Sequence, residues 1–353
     1  MGHQAQIYVD PRDYDLGLTR RRQHQRATAH RFHPVTRLRK FFVSASKDRP
    51  RWDELPGNVR RLAEVLVGGR VLSAESCRGG FSPGFASRLT LADGRRAFVK
   101  AVDGSAWPAD GAVYRDEVQV AAALPTTAPA SRFLGSADDS GWVVLAFEWV
   151  DGVEPTRPWR PAELGRAVAA IGAMTAALTP SPLSLPKDQP RIGGFATLSA
   201  DAIRRARLPA DCRWAASHLD ELTALEGEGL AAARGESLVH FDALPHNILL
   251  TTDRVVVVDW PHARIGAPCI DLLTLLVSAA ADEIDPEPLL LAQPIAARTG
   301  AHALTAVLTA LTGFWLSGAV QQVQPGLEAI PAAKLELSRG GLRWLRRRLA
   351  DLI

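Results

Sequence analysis

The sequence predicts a two-lobed α+β protein in which a small β-rich lobe precedes a larger, mainly helical lobe. Two patterns indicate this order. Between residues 71 and 148, apolar and polar residues alternate in runs separated by glycine-containing turns, which is typical of antiparallel strands. After Pro155 the chain becomes rich in Ala and Leu at helical spacing. A chain of 353 residues, 47% of them hydrophobic, is also long enough to build two cores.

The first 50 residues differ in composition from the rest of the chain. The stretch "GLTRRRQHQRATAHRFHPVTRLRKFF" is dense in Arg and His and has little periodic apolar content. We predict that residues 1–50 form a solvated, disordered extension, and the alternative interpretation is a basic arm for an acidic partner. Order is expected to begin near Trp52.

Net charge, cysteine spacing and the N-terminal sequence indicate which partners and which cellular compartment to expect. The net charge is only +3 with 22% charged residues, and this balance is too mild to indicate nucleic acid as a partner. The three cysteines are widely spaced and odd in number, so neither a disulfide framework nor a metal-ligand pair is expected. The start of the chain lacks the apolar segment of a secretory signal, and a reduced, cytoplasmic setting is predicted.

One uncharged stretch, from Ala303 to Val323, is about long enough to span a bilayer. Its Thr, Ser, Gly and Gln residues dilute the hydrophobicity, which favours a buried helix of the large lobe. No membrane partner is therefore expected.

The small lobe is predicted over residues 51–148. The strands "SRLTLA" and "RAFVKAV" flank an Asp-Gly pair, which is the signal of a β-hairpin. "AVYRDEVQVAAAL" has helical spacing, and "GWVVLAFEWVDG" indicates a further strand that ends in a short connector at residues 149–152. Residues 153–353 are predicted to form the large lobe.

Polar residues interrupt the apolar segment "SLVHFDALPHNILLTTDRVVVVDW" of the large lobe. Asp242 lies five residues before Asn247, and the intervening Pro245 disfavours a regular helix, so a turn followed by the strand "NILL" is predicted. A second strand, "RVVVVDW", carries Asp259 at its end. A hairpin of these strands would bring Asn247 and Asp259 together, and their oxygen atoms suit Mg²⁺. Asp242 is then expected to orient an attacking hydroxyl or to accept its proton.

This segment resembles the aminoglycoside phosphotransferase-like family, which has the protein-kinase-like fold. The family pattern His-x-Asp-x-x-x-x-Asn is present as "HFDALPHN", and "VVVVDW" is similar to the family's metal-binding strand. The resemblance implies that Asp242 is the catalytic base or hydroxyl-orienting residue and that Asn247 and Asp259 hold magnesium. It further implies that His240 supports the catalytic loop and that Asp271 braces this loop from the start of a helix.

The same resemblance implies a nucleotide site in the small lobe. The glycine loop in "RGGFSPGFASRL" offers backbone amides to the phosphates of ATP, from Gly79, Gly80 and Gly84. Lys100, in the strand "AFVKAV", is expected to reach these phosphates. Glu117 is expected to form the ion pair that holds Lys100, and Asp116 is the alternative partner.

The connector also has a counterpart in the family. "FEWVDG" resembles the inter-lobe hinge, and the backbone of Glu148, Trp149 and Val150 is expected to bind adenine. Phe241 stands where protein kinases have Arg and where the phosphotransferases usually have Gly. The two departures from protein kinases, Phe241 in place of Arg and Asp-Trp-Pro in place of Asp-Phe-Gly, favour a small-molecule acceptor over a protein. Phe241 in place of the phosphotransferase glycine is expected to narrow the loop.

These observations predict an ATP-dependent phosphotransferase that moves the γ-phosphate to a hydroxyl of an antibiotic or a metabolite. The alternative is a non-catalytic, nucleotide-binding regulatory protein on the same fold. A cationic acceptor would require an acidic pocket, and "AADEIDPEP" supplies four acidic residues, although such runs are usually solvated loops.

Overall fold

The computed structural model describes residues 49–77, 82–184, 192–322 and 329–350. This part of the chain folds into a small lobe built on an antiparallel sheet and a larger lobe that is mainly helical. The predicted α+β, two-lobed fold class is confirmed. Residues 1–48, which are nearly all of the predicted basic extension, lie outside the described residues.

The small lobe is a five-stranded sheet with two helices. In chain order its elements are α1 (Gly57–Val67), β1 (Val71–Ser76), β2 (Phe85–Leu91), β3 (Arg96–Asp103), α2 (Pro108–Ala123), β4 (Phe133–Asp139) and β5 (Trp142–Glu148). The strand order is β1-β2-β3-β5-β4, and all neighbouring pairs are antiparallel. Gly94 of the predicted Asp-Gly turn joins β2 to β3 with a φ of 83°, a left-handed conformation that favours glycine.

Alternation along the strands gives each face of the sheet its own core. In β5, Val144 belongs to the core under α1, whereas Val143 belongs to the core under α2. In β3, Val99 likewise packs on the α1 side and Val102 on the α2 side. Lys100 is an even number of residues from Val102, so its side chain leaves the sheet toward α2.

The large lobe contains ten α-helices and four short strands among the described residues. In chain order they are α3 (Pro161–Ala177), α4 (Phe195–Ala200), α5 (Ala202–Ala206), α6 (Arg213–Ser217), α7 (Leu219–Ala232), β6 (Ser237–Val239), β7 (Ile248–Leu250), β8 (Val255–Val257), β9 (Arg264–Gly266), α8 (Ile270–Ala281), α9 (Glu287–Leu291), α10 (Pro294–Thr299), α11 (Ala301–Ala319) and α12 (Ala329–Ala350). β6 pairs with β9 and β7 pairs with β8, both antiparallel.

Two apolar helices form the centre of the large lobe. The helix α8 is buried on nearly all sides and packs against α3 and α12, which explains why its sequence is hydrophobic all round. The uncharged stretch forms α11, the one helix in the described part that is long and apolar enough to cross a membrane. In its most apolar 18-residue window, 78% of the residues are buried inside the protein, against α7 and α12. It is a core helix of this lobe.

Backbone hydrogen bonds attach the β7–β8 hairpin both to the small lobe and to the start of the large lobe. Val153 and Leu250 exchange hydrogen bonds, with N–H to carbonyl distances of 3.0 and 2.8 Å. The N–H of Val257 donates to the carbonyl of Pro129 at 2.7 Å. The β7–β8 hairpin, which carries the predicted catalytic segment, is therefore fixed against the chain on either side of β4 and β5.

Glu226, in α7, is a buried carboxylate that organises the start of α4. Its Oε2 accepts hydrogen bonds from the N–H groups of Gly194 at 2.7 Å and Phe195 at 2.8 Å, and its Oε1 accepts one from Ala196 at 3.0 Å. The first N–H groups of a helix have no partner within the helix, so this carboxylate satisfies them. Gly313 of α11 makes room, since a Cβ there would collide with Oε2.

We expect Glu226→Ala to lower the free energy of unfolding by about 3 kcal/mol or more, because three N–H groups lose a charged acceptor. Urea denaturation followed by circular dichroism measures this loss. Glu228→Ala is the matched control, since Glu228 lies two residues later and its exposed carboxylate contacts the exposed ring of His302. The control is expected to change stability by less than about 0.5 kcal/mol. Equal losses in both variants would contradict this role of Glu226.

Candidate active site

The predicted catalytic loop lies between β6 and β7 and ends in a 3₁₀ turn, Pro245–Asn247. Proline is suited to the first position of such a turn because its φ is already fixed there. The Nδ2 of Asn247 donates hydrogen bonds to Oδ2 and to the backbone carbonyl of Asp242, both at 2.9 Å. The Asp242 side chain remains 32% exposed. The loop thus holds one carboxylate at the surface of the cleft by means of a buried amide.

His240 and Asp271 lie beneath this loop, and both are buried. The carboxylate of Asp271 accepts hydrogen bonds from the N–H of His240 at 2.8 Å and from the N–H of Phe241 at 2.9 Å. The Nδ1 of His240 accepts the N–H of Asp242 at 3.2 Å, so the ring proton must be on Nε2, which donates to the carbonyl of Val258 at 3.0 Å. His240 therefore connects the catalytic loop with the strand end that carries Asp259.

Phe241 has a backbone conformation that is unusual for its residue type. Its φ is 67°, in the left-handed region where glycine is favoured, and Asp271 binds the N–H of this residue and the N–H of the residue before it. Sequence reasoning noted that the related pattern has glycine here. The structure gives a reason for glycine in the related pattern, since the loop turns through a left-handed residue at this position.

The β7–β8 hairpin brings Asn247 and Asp259 to the same end of the cleft. Ile248 pairs with Val257, and the N–H of Val258 donates to the carbonyl of Asn247 at 2.9 Å. Asp259 follows directly and has a φ of 66°, which turns the chain out of the hairpin. Its side chain is 50% exposed.

The donor set at this point fits a magnesium ion. The Asn247 amide uses its nitrogen for Asp242, which leaves its carbonyl oxygen as a ligand. Asp259 engages Lys100 through Oδ1, which leaves a second carboxylate oxygen. No group of three or more His, Cys, Asp or Glu side chains suited to a metal occurs in the described part of the chain. An amide and a carboxylate nevertheless match Mg²⁺, which binds few protein ligands and retains phosphate and water.

Lys100 lies between carboxylates from both lobes. Its Nζ is 2.5 Å from Oε2 of Glu117, in α2, and 2.8 Å from Oδ1 of Asp259. Burial opposes the charged form, but Asp259 and Glu117 together raise the pKa of Lys100 above its usual value. Burial likewise acts against ionised Asp259, but the Lys100 ammonium holds the pKa of Asp259 below its usual value. Burial raises the pKa of Glu117 to about 7 against the attraction of Lys100, and the three side chains together bridge the cleft.

The two candidate partners of Lys100 have different neighbours. Glu117 contacts Lys100, and its Oε1 also lies 3.4 Å from the backbone N–H of Trp260. Asp116 points to Arg264, with 3.6 Å between Oδ2 and Nη2. The ion pair with Lys100 is made by Glu117, and Asp116 is left with a separate contact to the large lobe.

Of the three predicted loop glycines, only Gly84 lies in the described part, because Gly79 and Gly80 fall within residues 78–81. Gly84 is buried, and a Cβ on it would lie 2.5 Å from the carbonyl oxygen of Ala101. Its N–H donates to Oγ of Ser82 at 3.2 Å. Close approach to β3 is thus a sufficient reason for glycine at this position, and its phosphate role stays a prediction.

The predicted adenine-binding residues are the last residue of β5, Glu148, and the two residues after it. The N–H of Glu148 donates to the carbonyl of Arg132 at 2.9 Å, and its carboxylate accepts from Nη2 of Arg254 at 3.0 Å. Trp149 is half-buried and Val150 is buried. The position suits a nucleotide base, and the adenine contacts themselves stay a prediction.

A family model described as "Phosphotransferase enzyme family" matches residues 75–306, which is more than half of the chain. The chain belongs to the phosphotransferase enzyme family. The family assignment made from "HFDALPHN" and "VVVVDW" is thereby confirmed. No curated protein matches the chain by sequence.

Solved structures align with most of this phosphotransferase. Aminoglycoside phosphotransferase from Alicyclobacillus acidocaldarius is 19% identical, with a TM-score of 0.50, over 82% of this chain and 96% of that chain. Choline kinase LicA from Streptococcus pneumoniae is 14% identical, with a TM-score of 0.51, over 82% and 98%. A thermostable mutant of aminoglycoside phosphotransferase APH(4)-Ia, solved with AMP-PNP and hygromycin B, is 15% identical, with a TM-score of 0.51, over 82% and 99%. These likenesses establish the protein-kinase-like fold.

Sequence reasoning missed one residue beside the Lys100 site of the phosphotransferase. Tyr114, in α2, is buried, and its ring centroid lies 5.5 Å from Nζ of Lys100. Its hydroxyl is 3.0 Å from Oγ of Ser82, so it connects the glycine loop with α2. A signal was available, because Tyr114 precedes Glu117 by three residues and therefore lies on the same helix face.

His246 is a second residue whose contact was not predicted. Its Nε2 lies 3.4 Å from Oδ2 of Asp242. Burial opposes protonation of the ring, but the Asp242 carboxylate raises the pKa of His246 above its usual value. The carboxylate of Asp242 is thus flanked by an amide on one side and an imidazole on the other.

We expect Asp271→Asn to lower the free energy of unfolding by about 1–3 kcal/mol, because one of the two loop N–H groups would then face an amide nitrogen instead of an acceptor. Thermal and urea denaturation measure the loss. Asp220→Asn is the control, since Asp220 also occupies the second residue of its helix, α7, but is exposed. An Asp271 variant as stable as the control would show that the two N–H contacts do not hold the loop.

Proposed function

We propose that the protein transfers the γ-phosphate of ATP to a hydroxyl group of a small molecule. The observation that carries this proposal is a continuous set of contacts across the cleft, from Glu117 through Lys100 to Asp259 and, through the β7–β8 hairpin, to Asn247 and Asp242. Each member has the chemistry that one part of phosphoryl transfer requires. Family membership supports the same reaction class.

Lys100 supplies positive charge for the phosphates of the nucleotide. A buried ammonium held by Glu117 is fixed in position and fully protonated, so it neutralises phosphate charge without reorganising. The backbone of the glycine loop, including Gly84, covers the phosphates, and the backbone of residues 148–150 holds the base. AMP-PNP in a relative of the same fold is compatible with a nucleotide in this cleft.

Asn247 and Asp259 are the residues that would hold magnesium. When bound, the ion adds positive charge next to the phosphate oxygens and so lowers the cost of charge redistribution during transfer. The protein contributes the amide oxygen of Asn247 and the free carboxylate oxygen of Asp259, each fixed by its contacts to Asp242 and Lys100 respectively.

Asp242 orients the acceptor hydroxyl and accepts its proton. Burial by itself favours the neutral acid, but the His246 ring lowers the pKa of Asp242 below its usual value, so the carboxylate remains ionised and able to accept a hydrogen bond. The acceptor oxygen then forms a bond to the γ-phosphorus, the bond to the ADP oxygen breaks, and the hydroxyl proton passes to the carboxylate. Positioning and charge neutralisation supply most of the rate.

The acidic run near the end of α8 does not offer unpaired charge to a cationic acceptor. Each of its four carboxylates is paired with an arginine: Asp282 with Arg157 at 2.7 Å, Glu283 with Arg343 at 3.5 Å, Asp285 with Arg347 at 3.5 Å, and Glu287 with Arg348 at 2.6 Å. Relatives of the same fold include a choline kinase and an enzyme solved with hygromycin B. If this protein accepts such cations, other residues must recognise them.

We expect Asp242→Ala to reduce phosphate transfer by about 10² to 10⁴-fold, because the acceptor hydroxyl loses both its orienting group and its proton acceptor. The measurement is ADP release with purified protein, ATP and Mg²⁺ against a panel of cationic antibiotics, choline and uncharged alcohols. Asp253→Ala is the control and is expected to be fully active, since Asp253 lies in the exposed turn between β7 and β8.

Nucleotide binding separates catalysis from the regulatory alternative. We expect ATP with Mg²⁺ to raise the melting temperature of the wild type and of the Asp242→Ala variant to a similar degree. Stabilisation by ATP without transfer to any member of the panel would favour the non-catalytic, nucleotide-binding protein. Full transfer by the Asp242→Ala variant would remove Asp242 from the proposed mechanism.

A further inference from the structure

Two successive carboxylates of α2 reach the large lobe along different paths. Glu117 points into the cleft, to Lys100 and the N–H of Trp260. Asp116 points outward to Arg264, which lies in β9 just after the Asp259 segment. Consecutive helix positions differ by about 100° around the axis, so one helix face cannot carry both contacts. Asp116 therefore forms a second connection between α2 and the large lobe, which the proposed chemistry does not use.

Contacts within the large lobe hold Arg264 in place independently of Asp116. Its Nη1 donates to the carbonyl of Ala263 at 2.7 Å, and its backbone pairs with Val239, the residue before His240 of the catalytic loop. Its Nη2 is 3.6 Å from Oδ2 of Asp116. The guanidinium is thus a fixed partner on the β6–β9 pair, and a movement of α2 away from the large lobe would break the contact.

The surroundings of Asp116 favour this pairing. The side chains of Asp116 and Arg264 are 39% and 30% exposed, so the pair is only partly screened by water. Burial raises the pKa of Asp116, and Arg264 followed by His262 acts against that shift. The Arg264 guanidinium, on the segment after Asp259, therefore attracts a carboxylate of α2.

We propose that the ion pair between Asp116 and Arg264 holds α2 seated against the large lobe. Asp116 is thereby a positioning residue for the Glu117–Lys100 ion pair. When α2 is seated, Glu117 reaches Lys100, and Lys100 can hold the phosphates. When α2 moves away, the apparent affinity for nucleotide falls by the fraction of molecules in which the site is assembled. The catalytic consequence rests on the proposed function, whereas the seating of α2 does not.

The expected effect is modest because the pair is partly exposed. Ion pairs of this kind shift an equilibrium by up to about fivefold. We therefore expect Asp116→Ala to increase hydrogen–deuterium exchange of the α2 amides by about threefold to fivefold in the nucleotide-free protein. Alanine is a better helix former than aspartate, so an increase in exchange cannot come from helix propensity.

The neighbouring residue of α2 provides a matched control. Arg115 pairs with Asp138 of β4, with Nε to Oδ2 at 2.6 Å and Nη2 to Oδ1 at 3.2 Å, and this pair lies wholly within the small lobe. Both of its side chains are also partly exposed. Asp138→Ala removes an ion pair from the same helix without affecting a contact between lobes, and it is expected to leave exchange of the α2 amides and nucleotide affinity unchanged.

The experiment compares four proteins: the wild type, Asp116→Ala, Asp138→Ala, and the charge-swapped pair Asp116→Arg with Arg264→Asp. Hydrogen–deuterium exchange of α2 is measured without nucleotide, and the dissociation constant for ATP with Mg²⁺ is measured by calorimetry. With an acceptor from the transfer panel, KM for ATP and kcat are measured as well. We expect Asp116→Ala to weaken ATP binding and raise KM by about threefold to fivefold with kcat little changed, and the swapped pair to recover most of both losses.

Two results would contradict this role of the Asp116–Arg264 ion pair. One is exchange of the α2 amides in Asp116→Ala that equals exchange in Asp138→Ala. The other is a charge-swapped protein that is no closer to the wild type than Asp116→Ala is, since this would show that the loss did not come from the ion pair. A wild type that transfers phosphate to no acceptor would refute the proposed function instead. The exchange data would still decide whether the Asp116–Arg264 ion pair holds α2 against the large lobe.

Discussion

The position of one buried ammonium group determines how the two lobes of this protein meet. Lys100 comes from the sheet, Glu117 from the helix on that sheet, and Asp259 from the large lobe, and all three contacts form within one cluster. An ammonium removed from water requires anionic neighbours, so the small lobe is stable next to the cleft only with carboxylates at this point. Because one of those carboxylates belongs to the other lobe, the same requirement aligns the lobes.

The large lobe applies the same principle with backbone groups in place of an ammonium. Asp271 satisfies two loop N–H groups, and the His240 ring connects the loop to the carbonyl before Asp259. These buried polar groups fix a loop that includes a left-handed Phe241, at a cost that the surrounding hydrogen bonds offset. The partly exposed carboxylate of Asp242 is thus held by a rigid loop, as the proposed positioning of an acceptor hydroxyl requires.

Much of the arrangement was predictable because it depends on periodicity and spacing. The hairpin between Asn247 and Asp259 was predicted from two short apolar runs and the turn between them, and the structure pairs Ile248 with Val257 as that prediction requires. Glu117 was predicted as the partner of Lys100 with Asp116 as the alternative, and the structure pairs Lys100 with Glu117, because the rotation of the helix against the sheet decides which carboxylate faces the cleft. The contact of Tyr114 with the glycine loop depended on the same rotation.

The sequence by itself determined the two-lobed α+β fold, the order of its elements, the family and the set of polar residues that an apolar segment cannot bury without partners. Local patterns suffice for these, since alternation, helical spacing and turn residues act over a few neighbours. Only the tertiary structure decided which partners those residues find. It added Asp259 as a second carboxylate beside Lys100, and it paired Asp116 with Arg264 and the acidic run with arginines. Such pairs join residues far apart in the chain, so they depend on how whole lobes pack and not on local spacing.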